Sequence, residues 1–93
     1  HKAFLRGLFD GDGCLHVNKR GTLQAAFCGH PATVTWFVEQ LGITPNGAPR
    51  LRGGTSYAQW TSPRTALLLA SQLYAGTGPR LHRKSQLADR FLA

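Results

Sequence analysis

The stretch "LRGLFDGDG", from Leu5 to Gly13, is the most informative in the chain, and it first predicts where a helix ends. It contains Asp10 and Asp12, two of only four acidic residues in the chain. Leu5 and Phe9 are four positions apart and therefore share one face of a helix. Asp-Gly pairs are typical of a helix end followed by a turn. We predict that the first helix ends at Asp10.

The composition favours an anionic partner. Eleven Lys and Arg residues against four Asp and Glu residues give a net charge of +7, and nucleic acid is the first candidate for such a chain. An acidic membrane surface is the rival. The sequence has no long apolar run, no signal-peptide pattern and no clean basic amphipathic helix. We therefore expect a nucleic-acid partner and no membrane.

The length of 93 residues predicts a single domain over residues 1–93. A domain of this size buries a modest fraction of its surface, so a partner subunit would help to stabilise it. Cys14 and Cys28 do not make a disulfide framework, and we expect a cytoplasmic, nucleoid-associated protein. The chain has no methionine, even at position 1, so we expect that it does not begin at the natural start.

Alternating apolar residues after the first helix predict a β-hairpin. Leu15 and Val17 mark one strand, and an apolar set that includes Ala25 and Phe27 marks the next. A three-residue turn over 20–22 would place Leu15 opposite Phe27 and Val17 opposite Ala25. Extending this ladder would place residue 12 opposite residue 30.

The rest of the chain predicts three more helices and a second hairpin. Pro31 and Pro63 are well placed to open helices, which would run to residues 41 and 74, and a last amphipathic helix covers 81–92. Short strands flank Gly53 and Gly54, and their facing is open: either Tyr57 with Gln59 or Ala58 with Trp60 could point inward. With the first helix over 2–10, this order predicts an α+β fold, an antiparallel sheet with helices on one face.

The acidic stretch has several interpretations. It could be only a helix end and a turn. An EF-hand calcium loop is excluded, because the twelfth position from Asp10 is Gly21 rather than a bidentate glutamate. Zinc is a weaker alternative, because Cys14-Leu15-His16 and Cys28-Gly29-His30 lack the usual ligand spacing.

The whole stretch also resembles the LAGLIDADG motif of homing endonucleases. Six residues match the motif identically: Leu5, Gly7, Leu8, Asp10, Asp12 and Gly13. "TWFVEQLGI" is similar to the family's second helix, and "RLHRKSQLADRFLA" is similar to its last. The resemblance implies an αββαββα core with a saddle-shaped antiparallel sheet, plus a C-terminal helix.

The resemblance implies a catalytic role for the end of the first helix. In this family two motif helices pack together, and each delivers its last acidic residue, here Asp12, to a divalent-metal site. Gly11 would lend a backbone carbonyl, Mg²⁺ or another divalent cation would be the cofactor, and Asp10 would be structural. Because this chain has one motif, the resemblance implies a homodimer whose interface includes Leu5, Gly7 and Leu8.

The resemblance assigns further roles beside the metal. His30 matches a polar, water-ordering residue after the second strand, with a place beside the start of a helix as its alternative role. Lys84 is the preferred basic residue facing the cleaved phosphate, with His82 and Arg83 close behind. The polar strand face would contact double-stranded DNA, and the expected DNA-binding residues are His16, Asn18, Lys19, Arg20, Gln24, Arg50, Arg52, Arg80 and Arg83.

The leading hypothesis is therefore a site-specific, metal-dependent double-strand DNA endonuclease acting as a homodimer on a roughly palindromic site. Two alternatives stay open. One is a non-cleaving DNA- or RNA-binding protein on the same fold, such as a transcription regulator or an intron maturase. The other is one half of a two-motif endonuclease or of an intein.

Overall fold

The structure is a computed structural model that describes residues 2–47, 49–74 and 82–92. Helices and strands alternate within these residues in the predicted order. They are α1 (Lys2–Asp12), β1 (Gly13–Val17), β2 (Leu23–Gly29), α2 (Pro31–Leu41), β3 (Arg50–Arg52), β4 (Thr55–Trp60), α3 (Pro63–Tyr74) and α4 (His82–Leu92). No described helix has the length and apolar character needed to cross a membrane.

The strands form one antiparallel sheet in the order β1-β2-β4-β3. Its residues alternate between two faces, as the pleat requires. The buried face carries Leu15, Phe27, Ala58 and Trp60, and the helices pack on this side of the sheet. The predicted α+β architecture is confirmed. The structure also shows the facing of the second hairpin, which the sequence left open. Ala58 and Trp60 point inward, while Tyr57 and Gln59 lie on the opposite face.

The register of the first hairpin differs from the prediction by two residues. Leu15 lies opposite Ala25, not Phe27, and Val17 lies opposite Leu23, not Ala25. The cause is Asn18, whose side-chain oxygen accepts hydrogen bonds from the backbone N–H groups of residues 20 and 22. The loop is therefore residues 19–21, with the third residue at φ 78°.

The corrected register also changes the alignment beyond the ladder. Residue 12 now aligns with Cys28, and the predicted opposition of Asp12 and His30 is wrong. The contact agrees with the alignment, because the Cys28 thiol donates to the Asp12 carbonyl at 3.7 Å.

Aromatic packing holds α1 against the sheet and the other helices. The fully buried ring of Phe9 stacks near Phe27 and Phe37, with centroid distances of 6.4 and 6.2 Å, and meets Tyr74 edge-on at 6.3 Å. Burying such a ring contributes about 1.5–3 kcal/mol. Arg6 adds a polar contact on the same side, since its buried guanidinium donates to the Leu73 carbonyl. Together these contacts fix the direction in which α1 ends.

Gly13 joins α1 directly to β1. A Cβ atom at this position would overlap the Phe9 ring and would lie 2.5 Å from the Phe9 carbonyl oxygen. Real Cβ atoms do not come that close to backbone oxygen, so the helix can pass into the strand here only through a glycine. The abrupt junction holds Asp12 at the end of the helix.

Candidate active site and nucleic-acid interface

The two aspartates at the end of α1 have different surroundings. Asp10 is half-buried, and its Oδ1 accepts a hydrogen bond of 2.5 Å from the buried Tyr74 hydroxyl. Asp12 is the last residue of α1 and is exposed. The contact with Tyr74 fits the structural role predicted for Asp10, and the carboxylate that faces solvent is that of Asp12.

Lys84 reaches the end of α1 from α4. Its side chain is only 5% exposed, and its Nζ donates to the carbonyls of Phe9 at 2.9 Å and Asp10 at 2.8 Å. The ammonium also lies 5.4 Å from the centroid of the Phe9 ring. A cation at a helix C-terminus is stabilised by the helix dipole and by carbonyls that lack helical partners. The observed contacts place Lys84 against the helix end, and its role facing a phosphate stays a prediction.

His30 caps α2. It is the N-cap residue, and its Nδ1 accepts a hydrogen bond of 3.2 Å from the backbone N–H of Ala32. This contact requires Nδ1 to be unprotonated, so the exposed ring carries its proton on Nε2. The structure thus shows the helix-start role that was the alternative for this residue.

Three carbonyls in the last turn of α1 accept hydrogen bonds from two side chains of different kinds. Phe9 and Asp10 accept from Lys84, and Asp12 accepts from the Cys28 thiol. The fourth carbonyl of the turn belongs to Gly11, the backbone ligand expected beside Asp12. An exposed carboxylate next to a helix C-terminus suits a divalent cation, because oxygen ligands and partial negative charge coincide there.

Among the residues that the structure describes, the side chains of one chain do not complete a metal site. Among the described residues, no three His, Cys, Asp or Glu side chains converge on a common point. The Cys-x-His pairs therefore form no zinc cluster in this part of the chain. Asp12 fits the half-site that the resemblance predicts, in which a second carboxylate must come from another motif.

One face of α1 is only partly covered among the described residues. Phe4 meets the Trp36 ring edge-on at 5.7 Å and Leu8 packs against the core, but two glycines on the same face have open space beside them. Gly7 and Gly11 are exposed and four residues apart, and a Cβ on either would meet nothing within 4 Å. Phe4 lies beside them at 60% exposure, and Leu8 is half-buried. The prediction that Leu5 lies at the dimer interface is wrong, because Leu5 is 2% exposed and packs in the chain's own core. We call Phe4, Gly7, Leu8 and Gly11 the small-residue face of α1.

The sheet face opposite the helices carries polar side chains from all four strands. The register places His16 opposite Gln24, and it aligns Cys28, Tyr57 and Arg50 across three strands. We call this set the polar sheet face. Its members are Cys14, His16, Gln24, Cys28, Arg50, Arg52, Tyr57 and Gln59.

The polar sheet face holds four of the nine predicted DNA-binding residues, which are His16, Gln24, Arg50 and Arg52. Lys19 and Arg20 are exposed in the first turn, while the side-chain oxygen of Asn18 is occupied by that turn. Arg80 lies outside the described residues. Arg83 lies in α4, and its side chain is outside the described part of the chain.

Known structures share the fold described above. The LAGLIDADG meganuclease I-AabMI, bound to uncleaved DNA, matches with a TM-score of 0.73 and 18% identity over 99% of this chain and 34% of its own. The homing endonuclease I-CvuI, in complex with its Sro1.3 target in the presence of calcium, matches with a TM-score of 0.67 and 20% identity over 95% and 60%. The fold is that of the LAGLIDADG homing endonucleases.

The homing endonuclease I-TnaI also matches, with a TM-score of 0.68 and 14% identity over 99% of this chain and 69% of its own. This chain thus spans about a third of I-AabMI and 60% of I-CvuI. No family model and no curated protein matches the sequence. At these identities the LAGLIDADG likeness establishes the fold, and the roles of single residues rest on their own geometry.

Two residues of the polar sheet face, Tyr57 and Gln59, are not among the residues that the sequence predicts to bind DNA. Tyr57 and Gln59 alternate with Ala58 and Trp60, so periodicity alone leaves either pair as the inward one. Pairing with β2 decides, because Ala58 lies opposite the buried Phe27. The large apolar ring of Trp60 favours the inward orientation of its pair. A buried Trp ring also needs a hydrogen-bond partner for its N–H. Its Nε1 donates to the Ile43 carbonyl at 2.9 Å.

Proposed function

We propose that this protein is a site-specific, divalent-metal-dependent double-strand DNA endonuclease. The observation that carries the proposal is the exposed Asp12 carboxylate at the end of a helix whose small-residue face is open. The LAGLIDADG fold supports it, since I-AabMI and I-CvuI were crystallised with DNA. We infer a cytoplasmic, nucleoid-associated location from this DNA partner.

The small-residue face of α1 supports a homodimer. Glycines four residues apart let two helix backbones approach closely, because neither has a Cβ in the way. Two α1 helices packed in this way would bring two Asp12 carboxylates together. A symmetric dimer presents the same surface twice, so the DNA site would be roughly palindromic.

The metal fits the pair of helix ends. Two Asp12 carboxylates and the Gly11 carbonyls offer the oxygen ligands that Mg²⁺ takes together with phosphate and water. A bound divalent ion supplies an activated water and stabilises the attacking and leaving oxygens of phosphodiester hydrolysis. I-CvuI was crystallised with its Sro1.3 target in calcium, and with the I-CreI target, uncleaved, in magnesium. The use of these two ions supports a divalent cation as the partner of this fold.

Lys84 and Tyr74 act on this site through α1. Tyr74 holds Asp10, and Lys84 holds the two carbonyls that precede Gly11. Asp12 therefore lies at a helix end whose position is fixed by these contacts. We propose that both are positioning residues and that Asp12 is the group that touches the metal.

The polar sheet face and the turn are the proposed DNA interface. Arg50 and Arg52 are exposed on β3, at the sheet edge, and can contact phosphate or guanine. The amide of Gln59 suits contacts to base edges in the major groove. The net charge of +7 supports attraction to DNA regardless of its sequence.

The Asp12→Asn variant tests the proposed metal site. We expect it to bind a selected DNA duplex about as well as the wild type but to cut it at least a hundredfold more slowly in Mg²⁺, since an amide cannot replace the anionic ligand. Gel assays of binding and cleavage measure both. Asp89→Asn, at an exposed position of α4, is the matched control and should cut normally.

Unchanged cleavage by Asp12→Asn would overturn the assignment of Asp12. Selective binding by the wild type without cleavage in any divalent metal would favour a non-cleaving regulator or maturase. A monomer that binds DNA but acquires cleavage only with a second motif supplied in the same chain would favour half of a two-motif enzyme or intein.

A further inference from the structure

A line of hydrogen bonds crosses the first hairpin on the polar sheet face. The Cys14 Sγ lies 3.8 Å from His16 Nδ1, and His16 Nε2 lies 3.1 Å from Gln24 Oε1. His16 and Gln24 are direct cross-strand partners, so the ladder between β1 and β2 fixes the spacing of their backbones. The contact joins two residues that would both face DNA.

The atoms involved determine the direction of these hydrogen bonds. An amide oxygen only accepts, so His16 Nε2 carries the proton and donates it to Gln24 Oε1. Nδ1 of the neutral ring is then an acceptor, and the Cys14 thiol can donate to it. His16 thus faces the Gln24 oxygen from β1, and the amide can turn over only if the His16 tautomer changes with it, so that Nε2 accepts from the amide N–H.

A glutamine amide that is held in this way favours one base. The oxygen has two lone pairs, and the contact with His16 uses one. The other lone pair and the amide N–H groups match adenine, which offers N6–H as a donor and N7 as an acceptor in the major groove. Guanine offers two acceptors there, and its O6 would face the Gln24 oxygen. A freely rotating amide could instead turn its N–H groups toward guanine.

We propose that His16 is a positioning residue that holds the Gln24 amide in one orientation, and that Gln24 held in this way selects adenine in the major groove. The inference rests on the proposed function, because it needs the polar sheet face to lie in the groove. It changes the role of His16 from a separate base contact to the support of its neighbour.

Competition binding with duplexes that vary at single base pairs tests the inference. The full chain is used with Ca²⁺ in place of Mg²⁺, on a duplex selected from a random pool. Gln24→Ala first identifies the pair that Gln24 contacts, since preference there should disappear. At that pair we expect the wild type to favour adenine over guanine by about tenfold, and His16→Ala to reduce the ratio to about twofold.

Two further variants separate the hydrogen bond from other effects. His16→Phe keeps a ring at the position but removes the donor, so it should relax the preference as His16→Ala does. Lys19→Ala, in the same hairpin, should weaken binding to all duplexes alike and leave the ratio unchanged. Circular dichroism and melting curves check that each variant is folded.

The inference is overturned if both His16 variants keep the tenfold ratio, or if the wild type prefers guanine at this pair. Absence of sequence-selective binding by the wild type would refute the proposed function and the inference together. That outcome is distinguishable, because no base pair would then respond to Gln24→Ala.

Discussion

At the scale of single residues, one buried cation donates hydrogen bonds to two carbonyls in the last turn of α1. Lys84 satisfies the Phe9 and Asp10 carbonyls from a different helix. This contact stabilises a helix that continues two residues past the predicted end, to Asp12. The position of the residue proposed to bind metal therefore depends on an ammonium that a different helix supplies.

Replacing Lys84 by methionine tests this dependence. The variant keeps the length of the side chain but leaves two carbonyls without their donor, so we expect the free energy of unfolding to fall by about 2 kcal/mol. Urea denaturation measures this loss. Cleavage should fall more than DNA binding, because the position of Asp12 changes while the polar sheet face does not.

Lys19→Met is the control for loss of the charge. It makes the same substitution in the exposed first turn, where we expect the free energy of unfolding to change by no more than about 0.5 kcal/mol. If Lys84→Met were as stable as this control and cut DNA as fast as the wild type, the role given to Lys84 would be wrong.

At the scale of elements, α1 has two faces with different surroundings. Leu5 and Phe9 pack in the chain's core, while Gly7 and Gly11 face outward with open space beyond them. Glycine costs about 1 kcal/mol relative to alanine within a helix. Two glycines on an exposed helix face therefore lower the stability of the single chain, and close approach of another helix would account for them.

Gly7→Leu separates the stability of the chain from its assembly. Leucine is a good helix former and meets no neighbour within the chain, so we expect the free energy of unfolding of the monomer to rise by up to about 1 kcal/mol. The dimer should be lost at micromolar concentration, because the side chain would keep two α1 helices apart. Sedimentation velocity measures the mass, and cleavage should be lost with the dimer.

Ser71→Leu is the control for the dimer prediction, since it adds the same side chain to an exposed position of α3. It should leave the mass unchanged. A Gly7→Leu protein with the mass of the wild type would show that the small-residue face does not form the interface.

At the scale of the whole molecule, local sequence patterns predicted the helices and strands, but not the hairpin register or the end of α1. The start of α2 at Pro31 and its end before Gly42 are confirmed, because the signals lie within a few residues. The hairpin register depended on how Asn18 uses its side chain, and the end of α1 depended on Lys84. Among the candidate site residues, sequence indicated that Asp12 differs from Asp10, but not that Tyr74 holds the latter.

The net charge predicts a strong dependence of DNA binding on salt. Each phosphate neutralised by Lys or Arg releases counterions, so affinity falls as salt rises. For about six phosphate contacts, we expect a loss of about a thousandfold between about 50 and about 200 mM salt. Binding titrations at several salt concentrations measure the slope. A flat response would show that the basic residues do not contact the DNA backbone.

The contacts at the end of α1 have a consequence for the order in which the site can form during synthesis. Asp12 is made before the residues that hold its helix end, Tyr74 and Lys84, which follow it by 62 and 72 positions. A nascent chain that has not yet reached α4 carries the acidic residue without the cation that holds its helix. The protein would thus acquire a competent nuclease site only when nearly all of this chain has been made.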